Sequence, residues 1–170
     1  GEQPQYDGLT DVAGTLYGTT VLGGARGPGT VFQTTTSGTE SLLYSFADGS
    51  DGAYPAGSLL NVGGTLYGTT SGYGAYYGGT VFKITTSGAY AQVYSFAGGS
   101  DGANPQAGLT KVGSTLYGTT EGGGANGNGT VFTIKCRLAG CTESVIYSFA
   151  GGSDGEYPYG ALTDVDGVLY

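Results

Sequence analysis

The side chains able to do chemistry in this chain are few and of a narrow kind. Among its 170 residues there is no histidine, so the commonest general base and the usual activator of a hydroxyl or thiol nucleophile are missing. What remains is a set of carboxylates, two cysteines and a scatter of tyrosines. Asp51, Asp101 and Asp154 occupy one place in a recurring Ser-Asp-Gly, and Asp48 adds a second carboxylate in the first copy only. Hard cations take clustered carboxylate and carbonyl oxygens, which makes these four the calcium candidates. The full Asp-x-Asp-x-Asp-Gly pattern of a calcium loop is missing, however, and Asp followed by Gly is also an ordinary turn, in which Asp bonds nearby backbone and Gly takes a positive φ. The turn is the reading adopted, and no metal or other cofactor is expected. Glu121 with Asp48 or Asp51 is the one carboxylate pairing that would suit a glycoside hydrolase. These residues belong to different copies and nothing in the sequence unites them, so no catalytic residue is assigned.

Cys136 and Cys141 fall where the third copy is longer than the second between its Phe-containing strand and its Tyr-Ser-Phe. The extra residues lie in a turn, so the cysteines are expected to face each other across a widened hairpin and to form a disulfide. The spacing is not Cys-x-x-Cys, and two thiols without histidine make a poor metal site. Candidate ligand-binding residues sit in the loops that differ most between copies: Arg26 in 21–29, Tyr73, Tyr76 and Tyr77 in 71–79, and Glu121 and Asn126 in 121–129. Variable loops on a rigid scaffold are where binding is usually placed. The tyrosines suit stacking on a sugar ring or an interface, while the competing reading is a cluster that covers the adjacent repeat. Asn128-Gly129-Thr130 matches a glycosylation sequon, a motif common by chance.

The elements that must hold these residues are set by repetition. Leu-Tyr-Gly-Thr-Thr stands at 16–20, 66–70 and 116–120, and Leu169-Tyr170 begins it again, while Tyr-Ser-Phe recurs at 44–46, 94–96 and 147–149. A period near 50 residues is that of kelch-type and related propeller blades. In the second copy, 57–62 reads as a strand ended by a Gly-Gly turn, 65–70 as a second, 79–85 as a β-branched and aromatic third, and 90–96 as a fourth. Four antiparallel strands joined by tight turns make one blade, and the Asp-Gly and Pro segment at 98–106 is the crossing to the next. The strands carry apolar or small groups on both faces, as expected when each blade lies between neighbours. Gly18, Gly68 and Gly118, inside a strand, suggest a bulge or a close approach of backbone. The predicted fold is all-β, a β-propeller-type tandem repeat with blade 1 over 1–56, blade 2 over 57–106, blade 3 over 107–159 and the first two strands of a fourth over 160–170.

In its Leu-Tyr-Gly-Thr-Thr, Gly-Thr-Val-Phe, Tyr-Ser-Phe and Ser-Asp-Gly-x-x-Pro motifs, recurring in register along nearly the whole chain, the sequence resembles the bacterial GloVer tandem repeat. The strand order is similar to that of NHL-type propeller blades. The resemblance implies a secreted or surface-anchored β-propeller and carries over no catalytic residue.

Composition narrows the partners. Thirteen acidic residues against five basic ones give a net charge of −8, a surface that repels phosphate backbones, so nucleic acid is excluded. No apolar run approaches the roughly 18 residues of a membrane span, and no membrane insertion is expected. The low charge and the even cysteine count point to an oxidising, extracellular or cell-surface setting. Three blades are fewer than closed propellers usually have, so the expected partners are copies of the chain, assembled as a ring or filament, or further repeats of a longer chain. The expected function is non-catalytic, structural or adhesive, with a carbohydrate-binding propeller as the alternative and a glycoside hydrolase behind it.

Overall fold

The computed structural model describes residues 1–4 and 8–170. The described residues form strands and turns, with two single 3-10 turns at Gly99–Asp101 and Gly152–Asp154. No helix among them is long and apolar enough to cross a membrane. The second repeat is the most regular: β6 (Ala53–Val62), β7 (Thr65–Gly72), β8 (Thr80–Thr85) and β9 (Tyr90–Ser95) pair antiparallel in chain order. The third repeats this with β10 (Thr110–Val112), β11 (Thr115–Thr120), β12 (Thr130–Arg137) and β13 (Gly140–Ser148). In the first, β1 (Glu2–Pro4) and β2 (Thr10–Val12) both pair with β3 (Thr15–Leu22), followed by β4 (Thr30–Thr35) and β5 (Glu40–Ser45). A two-stranded hairpin, β14 (Asp164–Val165) with β15 (Val168–Leu169), opens a fourth. These are the blades of a propeller-type repeat.

Two features of the strands differ from the sequence reading. β6 begins at Ala53, not at 57, because Pro55 and Ala56 already pair with Thr70 and Thr69 before the register shifts on the way to Leu60. Proline suits this place at the edge of a sheet, where no ladder partner needs its missing N–H. The crossing segment therefore contributes ladder. In addition, each blade has a bulge between its last two strands: Val31 faces Tyr44 while Phe32 faces Leu42, and the same shift follows Val81 and Val131. The bulge lets the consecutive residues Leu43 and Tyr44 both pack against one core, which a strict two-residue alternation forbids.

The core lies between blades. One cluster unites Tyr17, Val31 and Phe46 of the first blade with Leu59, Leu66, Phe82 and Ile84 of the second. The next unites Val81 and Phe96 with Leu109, Leu116, Phe132 and Ile134. Neighbouring blades also meet edge to face, with ring centroids 5.4 Å apart for Phe46 and Phe82 and 4.9 Å for Phe96 and Phe132. Gly68 is required because a Cβ there would lie 2.5 Å from the Phe82 ring and 2.9 Å from Leu59. In β6, a Cβ on Gly57 would collide with the backbone of Gly108 in the following blade. At Gly18, Gly68 and Gly118 the neighbours are thus the Phe32, Phe82 and Phe132 rings and a leucine side chain, in regular register, and neither a bulge nor a backbone. The close backbone approach is at Gly57 instead.

Candidate functional site

Each Ser-Asp-Gly aspartate clasps the end of its own blade. Asp51 accepts hydrogen bonds from the Tyr44 hydroxyl and the Ala47 N–H, both at 3.0 Å, and from the Gly49 N–H at 3.3 Å. Asp101 accepts from Tyr94 at 2.7 Å and the Ala97 N–H at 2.6 Å, and Asp154 from Tyr147 at 2.6 Å and the Ala150 N–H at 2.7 Å. The backbone bonds are those of the expected turn; the tyrosine is an addition. Its signal was present in the sequence as a Tyr seven residues before each of these aspartates. Burial, with the hydrogen bond and charge of Asp51 added, pushes the Tyr44 phenol up to about 12. The exposed Asp154 carboxyl is held below its usual range by the Tyr147 hydroxyl and the Ala150 amide. Asp48 takes no part in a clasp. Among the described residues no group of three or more His, Cys, Asp or Glu side chains is placed to hold a metal ion.

The clasps bear on the next blade. Tyr90 stacks on Tyr44, with centroids 4.3 Å apart and planes 9° from parallel, and donates to the Asp51 carbonyl at 2.7 Å. In the third blade the same register place, opposite Ile134 as Tyr90 is opposite Ile84, belongs to Glu143. Its Oε1 is buried without a hydrogen-bond partner. Burial first, then the charge and proximity of Asp101, raise the Glu143 carboxyl to about 7. A proton on Glu143 supplies a donor for the Asp101 carboxylate, so the pair prefers to share one. Sequence reasoning missed Glu143 because the longer hairpin hides its correspondence with Tyr90.

The loop residues separate. Asp48, Tyr73 and Tyr77 line one open cavity of about 230 Å³, where the turn after the first blade meets the loop of the second. Tyr76 is exposed and lies outside that lining. Arg26 is exposed on the corresponding loop of the first blade. Asn126 donates to the Phe149 carbonyl at 3.2 Å, and the Asn128 side chain lies beside Gly151. Glu121 accepts from Gln106 at 2.8 Å and from the Tyr159 hydroxyl at 2.6 Å. These contacts tie it to the junction of the third blade with its neighbours, whereas Asp48 belongs to the cavity and Asp51 to its clasp.

Cys136 and Cys141 stand opposite each other in the β12–β13 ladder and form a disulfide, with their Cα atoms 4.0 Å apart.

A family model described as the Gloeobacter/Verrucomicrobia repeat matches residues 1–170. No curated protein matches the chain. Among solved structures it is similar to a mutant of the GH43 protein BlXynB from Bacillus licheniformis, at 16% identity and a TM-score of 0.48. That likeness covers 97% of this chain but 36% of the other.

Proposed function

Since the chain belongs to the Gloeobacter/Verrucomicrobia repeat family, we propose that it is a non-catalytic structural or adhesive element of an extracellular or cell-surface protein, working by the stacking of blade on blade. The observation that carries this reading is the fate of one residue position in successive blades. Leu59 and Leu109, each flanked by a neighbouring blade, are 4% and 6% exposed, whereas Leu9 on the open face of the first blade is 49% exposed. At the other end Tyr147, Tyr157 and Tyr159 are left open. Faces built to be covered, with apolar and aromatic groups in place, favour association with more blades of the same kind. These come either from copies of the chain, in a ring or filament, or from further repeats. The disulfide suits an oxidising compartment. The engagement of Asp51, Asp101, Asp154 and Glu121 by hydrogen-bond donors suits structural carboxylates better than catalytic ones.

Light scattering over a range of protein concentrations tests the assembly. The expected result is a particle mass that grows with concentration. A species that stays monomeric at all concentrations contradicts it.

A further inference from the structure

The second-blade loop carries side chains at places where the other copies carry glycine. Its backbone is constant: Gly29 N–H bonds to Gly23 O at 3.0 Å, Gly79 to Tyr73 at 2.8 Å and Gly129 to Gly123 at 2.9 Å. On this shared path the residues at 23, 73 and 123 all have positive φ, at 89°, 60° and 75°, and so do those at 27, 77 and 127, at 101°, 64° and 80°. Glycine fills these places in the first and third blades, as the left-handed region favours, whereas the second blade has Tyr73 and Tyr77. The turn after the first blade shows the same departure, with Asp48 at φ 60° where the later turns have Gly98 at 74° and Gly151 at 81°. A side chain in this region is strained, and such strain gathers where a site needs the side chain.

All three departures meet at one place. Asp48, Tyr73 and Tyr77 line the same cavity of about 230 Å³, and the Gly74 N–H bonds to the Gly49 carbonyl at 3.1 Å to fix one wall against the other. Tyr73 is backed by Tyr54, at 6.1 Å between centroids, and tilted against Tyr77 at 5.9 Å. Tyr77 is 76% exposed, so packing gives little reason for its strained backbone. No hydrogen bond within the described residues occupies the Asp48 carboxylate, and no lysine or arginine lines the cavity. Aromatic rings with an apolar body and a polar tip, beside a free acceptor, match a ring with apolar faces and hydroxyl edges. The absence of cations in the lining, on a chain of net charge −8, disfavours anionic ligands. The volume lies below the roughly 300–1,000 Å³ of sites for drug-sized molecules, which suits a single ring of an oligosaccharide.

We propose that Asp48, Tyr73 and Tyr77 form a binding site for a neutral sugar ring, placed at the junction of the first two blades. In it Tyr77 offers a ring face for stacking and Asp48 accepts hydrogen from hydroxyl groups. The site is independent of how the blades assemble.

The test is calorimetric titration of the whole chain with neutral glucan, mannan, galactan and xylan oligosaccharides. It is repeated on Asp48→Gly and Tyr77→Gly, which restore the residue of the other copies, and on Tyr76→Ala, outside the cavity. The expected result is that at least one of the four sugars binds the native chain. Both glycine variants then lose about tenfold or more in affinity, the loss of one charge-assisted hydrogen bond or its equivalent. Their thermal midpoints stay level or rise, since strain is relieved, and Tyr76→Ala binds as the native chain does. Failure of the native chain to bind any of the four at about 10 mM overturns the proposal. Glycine variants that bind normally overturn it too, and a fall in their thermal midpoints would assign the side chains to packing.

Discussion

A phenol, a backbone amide and a carboxylate meet at the end of every blade, and the same three groups serve different neighbours. At the first junction the clasped Tyr44 receives the ring of Tyr90. At the second, the clasped Asp101 and Tyr94 receive the carboxyl of Glu143. Removing the first clasp with Asp51→Ala frees the Tyr44 hydroxyl and two backbone amides. The expected cost is about 2 kcal/mol, typical of a lost hydrogen-bonded charge, measured by urea denaturation. The second junction has a pH dependence. Glu143 has an ordinary value of 4.5 and a folded one of about 7, so the fold prefers its protonated form. Its contribution is whole below pH 4.5 and is lost as the pH rises through about 7. The groups facing it are Asp101 of the crossing segment and Tyr94 of β9, whose own phenol is raised by burial and by Asp101. Glu143→Gln keeps the neutral form at every pH. Its melting temperature, compared with that of the native chain, is therefore expected to gain between pH 5 and 8, and an unchanging difference over that range contradicts the assignment. At this scale the sequence was only partly legible. Ser-Asp-Gly reads as a turn from its residues alone, but the tyrosine partner needs a fold that returns the strand end to the turn.

Strands and hairpins were readable from β-branched runs and glycine turns, and the third hairpin shows how far. The position of its extra residues implied that Cys136 and Cys141 face each other, and they do. The bulge after Val81 was not legible, because the stretch Gln92 to Tyr94 reads as uninterrupted strand and only the partner strand reveals the extra residue. Nor was the early start of β6, since Pro55 in a crossing segment signals a break until its pairing with Thr70 is known. The disulfide closes a short loop at an exposed hairpin, where Leu138 is fully open. The chain-entropy account assigns such a loop about 2 kcal/mol at most. Replacing both cysteines with serine is expected to lower the denaturation midpoint modestly and leave hydrogen exchange in β6–β9 protected. Loss of protection throughout the chain would mean that the hairpin holds more than its own blade.

The molecule is a sequence of sheets with its apolar groups between them. Periodicity made this legible, since one repeated sheet with apolar groups on both faces has no way to hide them alone. The distinction between blades and the rungs of a solenoid lay in the spacing near 50 residues. The loop cavity was not legible, because its three contributors come from a turn in one repeat and a loop in the next. Adjacent sheets meet through their faces around shared aromatic cores, and proton NMR distances between rings measure this contact itself. Cross-peaks are expected from Tyr44 to Tyr90, from Phe46 to Phe82 and from Phe96 to Phe132, whose centroids lie 4.3, 5.4 and 4.9 Å apart. Absence of these ring cross-peaks, with an unbroken ladder of amide cross-peaks running from one module to the next in their place, would contradict it.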